Sequence, residues 1–206
     1  MRRDTLETRA KLIEAAEQLF AERGIDGVSL ADINQRAGQK NRNAVHYHFG
    51  AKESLIHAVL DKHSAGIECR RRELLDDTGE SPDLRDLVCA LVIPVAEKLE
   101  DSDGGVAYLK INGQLMANAS YAEVRLKRAR HMDQAKRMSR LFECVLEHEQ
   151  PGDLAARLLL VDCMLFQGLA SYASRRPSVP RAAFVAILID SICSVMSAPP
   201  AREQQK

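Results

Sequence analysis

Between Ile33 and Lys52 the chain carries Arg36, Lys40, Arg42 and Lys52, with amides at Asn41 and Asn43, and no carboxylate appears until Glu53. His46, Tyr47 and His48 follow after Ala44 and Val45. Guanidinium and amide groups make paired hydrogen bonds to guanine and adenine edges, whereas amines, hydroxyls and imidazoles hold phosphate oxygens. Ser29 stands at a helix start, where backbone N–H groups also favour phosphate. The chemistry offered is recognition of a polyanion. Bond-making chemistry has no comparable signal. Glu147-His148-Glu149-Gln150 lacks the second His of a zinc-binding HExxH helix, and His57 and His63 are not at i, i+4 spacing. Phosphate-cradling Gly-rich loops and a GxSxG elbow are missing too. No metal, no cofactor and no enzymatic activity are expected.

The elements needed to present these residues are helices. Thr5–Arg23 places Leu12, Ile13, Ala16, Leu19 and Phe20 on one stripe and ends at Gly24. Ser29-Leu30-Ala31-Asp32 has the form of a capping box that opens a second helix, with Leu30, Ile33 and Ala37 inward and Gly38 as its stop. An Asn41–Asn43 cap starts a third helix running to about His48. Val45 and Phe49, at i and i+4, share its inward face and turn Arg42, Asn43, His46 and Tyr47 outward. Two short helices broken at a glycine, the second polar on its outer face, form a helix-turn-helix pattern.

The remainder continues as helix, with no convincing strand and no internal repeat. Lys52–Leu75 is a long fourth helix. Ser81-Pro82-Asp83 caps a fifth, with Pro82 at its favoured first position, and Pro94 predicts a kink or an early end. Val106–Ala117 is a sixth helix, and a seventh runs from Ser120 or Tyr121 to His148, with a heavily basic stretch at Arg125–Arg140. Asp153 caps an eighth helix to Ser174, and a ninth ends near Met196. The fold class is all-α with about nine helices. Domain limits follow from the Gly50 break: 1–50 for DNA binding, 51–198 for ligand binding and dimerisation, and a disordered tail at 199–206.

Composition agrees with a helical, cytoplasmic protein. Hydrophobic residues make up 46% of the 206 residues, but aromatics only 4% with no Trp, so the core is built from aliphatic side chains. The net charge is zero, from 29 basic and 29 acidic residues, so any attraction to nucleic acid must be local. Cys69, Cys89, Cys144, Cys163 and Cys193 form no CxxC and read as reduced, mostly buried thiols. The first residues lack the apolar segment of a secretory signal, and no apolar run reaches the length of a membrane span.

Residues Thr8 to Leu60 resemble the amino-terminal domain of TetR-family transcriptional regulators. The matching features are the Leu19-Phe20-Ala21-Glu22-Arg23-Gly24 end of the first helix, Ser29-Leu30-Ala31-Asp32-Ile33, Ala37-Gly38, Tyr47-His48-Phe49, and Lys52-Glu53 with Leu55. The link from Gly38 to Phe49 is one residue longer than the common pattern, and His46 stands where a Tyr usually sits. The resemblance implies an all-helical homodimer that binds a near-palindromic stretch of double-stranded DNA as a repressor, with an inducer in the carboxy-terminal domain. By position it implies phosphate contacts from Lys52 and from Tyr47 or His48, and base reading by Arg42, Asn43 and His46. It also implies that the last two helices pair into a four-helix dimer bundle.

The apolar stripes at the chain end suit that bundle. They comprise Leu158, Val161, Leu165, Gly168, Leu169 and Tyr172 on the eighth helix, and Phe184, Leu188 and Ile192 on the ninth. The same stripes could instead close the core of a monomer. A pocket for a small hydrophobic organic ligand would draw on Tyr108, Asn112, Met116, Phe142, Met164, Phe166 and Gln167, of which the two amides need partners if buried. The alternative function is a DNA-bound module whose carboxy-terminal domain docks a protein and needs no small-molecule inducer.

Overall fold

In the computed structural model, which describes residues 3–79, 81–121, 124, 133–146, 151–175 and 177–199, every regular element is a helix. The first three are α1 (Arg3–Arg23), α2 (Leu30–Arg36) and α3 (Ala44–Phe49). Gly24 leaves α1 at φ 83°, a left-handed value that stops the helix without the strain a Cβ would add. The Ser29–Asp32 capping box forms as expected: the Ser29 hydroxyl accepts from Asp32 N–H and the Asp32 carboxylate accepts from Ser29 N–H. These bonds from Ser29 hold the Asp32 carboxyl below its ordinary 3.8. Leu12, Leu19, Phe20, Ile33, Val45 and Phe49 close a small apolar core between the three helices.

The connector α4 (Lys52–Asp77) follows the Gly50 turn. Leu55, Ile56, Val59 and Leu60 pack back toward the first helices, and Ile67 and Leu75 continue the buried face. One contiguous apolar cluster therefore crosses the Gly50 turn and runs on into the second half.

The second half contains α5 (Leu84–Ala96), α6 (Gly105–Ala117), α7 (Asp133–Val145), α8 (Pro151–Arg175) and α9 (Arg181–Met196). Among the described residues α6 packs chiefly on α8, α5 on α4, and α9 on both α5 and α8. Asp83 is the N-cap of α5 in a reciprocal box with Asp86, so Pro82 lies before the cap and not at the first helical position. Pro94 lies inside α5, which runs on past it to Ala96 before tightening into a 3-10 turn at Glu97–Leu99. Ser120 and Tyr121 belong to a separate 3-10 turn, Ala119–Tyr121, and not to α7. Much of the expected seventh helix, including Arg125–Arg130, lies outside the described residues, as does the tail from position 200.

Asp153 stands in the first turn of α8, which begins two residues earlier at Pro151. At the far end of the fold the buried Arg157 guanidinium donates to the carbonyls of Val195, Met196 and Ala198, taking up the open acceptors where α9 ends. The stretch Asp153–Arg175 is long and apolar enough to cross a membrane by length and composition. Its buried positions Val161, Leu165 and Leu169 nevertheless pack inside this helical core. The thiols are less buried than expected: Cys69 and Cys144 are exposed, and Cys89, Cys163 and Cys193 are half-buried.

Candidate nucleic-acid interface

The turn between α2 and α3 is set by backbone geometry and one buried side chain. Gly38 sits at φ 65°, and the N–H groups of Ala37, Gly38 and Gln39 return to Ile33, Gln35 and Asn34 carbonyls, closing the end of α2. Asn34 then spans the turn. Its Nδ2 donates to the Arg42 carbonyl at 2.6 Å, and its Oδ1 accepts from the Val45 N–H at 3.1 Å. Both are backbone groups of the segment that carries the base-reading candidates. Asn34 is buried, so these bonds fix that segment in register with α2. The sequence reading missed this residue. The available signal was an amide next to the inward-facing Ile33.

The start of α3 differs in detail from the expected cap. Asn43 occupies the N-cap position but makes no side-chain cap bond, and the Asn41 carboxamide instead accepts from the Asn43 N–H. The far end of α3 is held by Arg9, which donates to the His48 carbonyl at 3.1 Å and lies 4.2 Å over the Phe49 ring. A cation here meets the negative end of the helix and stacks on its apolar anchor.

Lys40, Asn41, Arg42, Asn43, His46 and Tyr47 are brought together on one exposed surface, and Tyr47 reaches 79% exposure. His48 is half-buried and lies edge-on to Tyr47 at 5.1 Å. His46 Nδ1 lies 2.8 Å from the Gly50 carbonyl, so that ring is steadied against the turn after α3. Arg36 faces α1, bonding to Gln18 and Glu22 at 3.2 and 3.1 Å, and Ser29 is engaged in its capping box. Lys52 extends across the Phe20 ring and donates to the Val28 carbonyl at 2.6 Å, which ties the start of α4 to the loop before α2. An ammonium has two further protons with which to meet a phosphate.

The expected ligand set is not gathered in one place to the same degree. Tyr108 and Phe142 are buried, whereas Met116, Met164 and Phe166 are half-buried. Asn112 donates to the Tyr108 carbonyl of its own helix, and Gln167 donates across to the Gly113 carbonyl at 2.6 Å. Gln167 also lines an open cleft of mixed polar and apolar character with Gln114, Lys110 and Arg175.

The residues of the expected dimer stripe divide between the chain's own core and half-buried positions. Val161, Leu165, Leu169, Leu188 and Ile192 are buried within the chain itself. Tyr172 is stacked on Phe184 at 4.5 Å, and Leu158 and Gly168 are half-buried. The large apolar residues that α8 and α9 leave outward are Leu159, Leu160 at 54% and Ile187 at 58% exposure, and Ile187 lines a groove with Met164, Gly168 and Phe184.

Comparison with known proteins matches the first part of this architecture to a family. Residues 12–59 fit the model of bacterial regulatory proteins of the tetR family. The chain is 49% identical over 55 residues to the HTH-type transcriptional regulator TtgR of Pseudomonas putida, covering 27% of this chain and 26% of the relative. It is 28% identical over 127 residues to the HTH-type transcriptional repressor KstR2 of Mycobacterium tuberculosis, covering 60% of this chain and 62% of that protein. The chain thus spans about a quarter of the length of TtgR. Among solved structures, a TetR-like transcriptional regulator from Rhodococcus sp. RHA1 superposes with TM-score 0.62 at 16% identity over 93% of this chain and 97% of that one. NalD of Pseudomonas aeruginosa does so with TM-score 0.62 at 22% identity, over 92% and 96%. At these identities the likeness is one of fold, and it extends over both halves.

Proposed function

We propose that this chain, whose residues 12–59 match the model of bacterial regulatory proteins of the tetR family, is a ligand-responsive transcriptional repressor that binds a near-palindromic operator as a homodimer. The observation that carries the reading is the exposed, acid-free surface of α3 and its preceding turn, held rigid from behind by Asn34. Arg42 and Asn43 have the side chains suited to bidentate base contacts. Lys40, Tyr47 and Lys52 surround them with phosphate partners. The zero net charge is no obstacle, since the attraction is confined to this face.

Homodimerisation is supported by the outward apolar residues of α8 and α9, which in water favour burial against a second apolar surface. Two copies related by a two-fold axis would set their α3 helices about 34 Å apart, one helical turn of DNA. The ligand of this reading is a small hydrophobic organic molecule held in the carboxy-terminal half near Tyr108 and Phe142. Binding there would move α4 and spoil the spacing.

Nuclease footprinting on DNA fragments selected by the full chain from a random pool tests the reading. Protection of a two-fold-related site is expected, and a thermal-shift screen of small apolar metabolites should then yield a compound that releases it. Failure to select or protect any sequence would overturn the proposal.

A further inference from the structure

Buried charge collects where α1, α4 and the loop before α6 meet. Glu17 of α1 is only 2% exposed. Its Oε1 lies 2.5 Å from His63 Nε2, and its Oε2 accepts from Lys62 Nζ at 2.8 Å. Lys62 bridges onward to Asp103 at 2.7 Å. Asp101 receives Lys98 at 2.7 Å and stands 3.9 Å from His63 Nδ1. The His63 ring packs 4.9 Å from Tyr108 of α6. Gly104, at φ 84°, closes over the carboxylate so tightly that a Cβ there would collide with Glu17.

A buried carboxylate is tolerated only while its oxygens are taken up by donors. Here the donors come from α4, and the cover comes from the 101–105 loop that leads into α6. Lys62 is drawn down by burial, but hydrogen bonds to Asp103 and Glu17 outweigh this and hold its amine above the ordinary 10.5. Farther along α6 the seam continues without charge burial. Gln114 accepts from the Ile25 N–H and donates to the Phe20 carbonyl, while Asn118 and Tyr121 both donate to Asp26. The first helix of the DNA-reading unit is thus pinned at both ends of α6, and the charged pin is the one that cannot shift gradually: removing either cover or donor strands a charge.

We propose that Glu17 is the positioning residue through which the 101–105 loop and α6 set the orientation of the DNA-reading helices, so that DNA binding and the conformation of that loop are one coupled equilibrium. This rests on the DNA-binding reading above. Coupling between sites is reciprocal, so DNA alone can report it, with no inducer in hand.

The test uses hydrogen–deuterium exchange of the full chain, free and bound to the DNA selected by footprinting. In the wild type, DNA should slow exchange of the amides at 104–109 by about fivefold or more, although this segment lies outside the α2–α3 surface. Glu17→Gln, which keeps shape but removes charge, should abolish that slowing. Gly104→Ala should do the same with every charge in place, by driving the loop off the carboxylate; it serves if Glu17→Gln fails to fold. A wild type that binds DNA with no change at 104–109 overturns the inference, as does undiminished slowing in both variants. A stability loss in the variants with the DNA-dependent slowing retained marks a merely structural Glu17 and overturns it as well. Absence of any DNA binding removes the underlying functional reading instead.

Discussion

The α2–α3 unit and the α8–α9 pair each bury one apolar face and leave another outward, yet the outward faces are opposite in chemistry. Around α3 the exposed residues are Lys40, Asn41, Arg42, Asn43, His46 and Tyr47. On α8 and α9 they include Leu159, Leu160 and Ile187. The first face is stable in water and gains by meeting charge. The second is stable only provisionally and gains by meeting its like. The inward supports differ as well. Asn34 crosses from one helix to backbone groups of another segment, whereas the similarly buried Asn112 bonds back to Tyr108 of its own helix. A buried amide positions a site only when its partner lies on a different element.

The largest effect should come from the apolar face. Replacing Leu160 and Ile187 together by Asp should convert a dimer to a monomer in sedimentation experiments. It should also weaken binding to a two-fold DNA site by about 100-fold, the avidity lost when a second reading head is no longer tethered. Binding to a half-site should be nearly unchanged. An unaltered sedimentation coefficient would show that the face is not the dimer contact. Next, Asn34→Ala leaves the Arg42 carbonyl and Val45 N–H without their partner, at about 1–3 kcal/mol in denaturant unfolding. DNA affinity should fall even at temperatures where the variant is fully folded.

Within the polar face, Arg42→Ala should relax discrimination at one base position by about 1–3 kcal/mol. Lys52→Ala should weaken all sequences alike and lower the salt slope by about 1. Competition binding across a set of single-base variants separates the two, and equal loss of specificity in both would undo the division between reading and phosphate contact. The smallest effect belongs to the cap: Ser29→Ala should cost about 1 kcal/mol of stability. The same cap has an acid limb. Asp32 is held below 3.8 when folded, so its stabilisation is present above that pH and is lost as pH falls through the folded value. Unfolding curves for wild type and Ser29→Ala should converge in that acid range.

What could be read from the chain follows how local each signal is. The Ser29–Asp32 box and the Gly24 and Gly38 stops all act within a few residues, and each appears where expected. The stripe rule located the apolar faces of α8 and α9 but could not tell which neighbour covers them. Val161, Leu165 and Leu169 turn inward to the chain's own core, and the outward Leu160 was not singled out. Asn34 and Glu17 escaped for a related reason. Each owes its burial to segments far along the chain, the α3 turn for one and the 101–105 loop for the other. The expected Asn41–Asn43 cap is met only in part: Asn43 is the N-cap residue without a side-chain cap bond, and Asn41 accepts from the Asn43 N–H in the turn before the helix.

The closure of Gly104 over Glu17 also constrains how this sequence can drift. A Cβ at position 104 has nowhere to go while the carboxylate below is clamped by Lys62 and His63. Replacement of Gly104 therefore meets the strain of a Cβ at φ 84° and, while position 17 keeps its carboxylate, a collision as well. Shortening Glu17, in turn, leaves Lys62 and His63 without their common acceptor until one of them has changed. The order of the steps is thus restricted, and a graft of α1 from one relative onto the second half of another should fail or succeed according to whether positions 17, 62, 63 and 104 travel together.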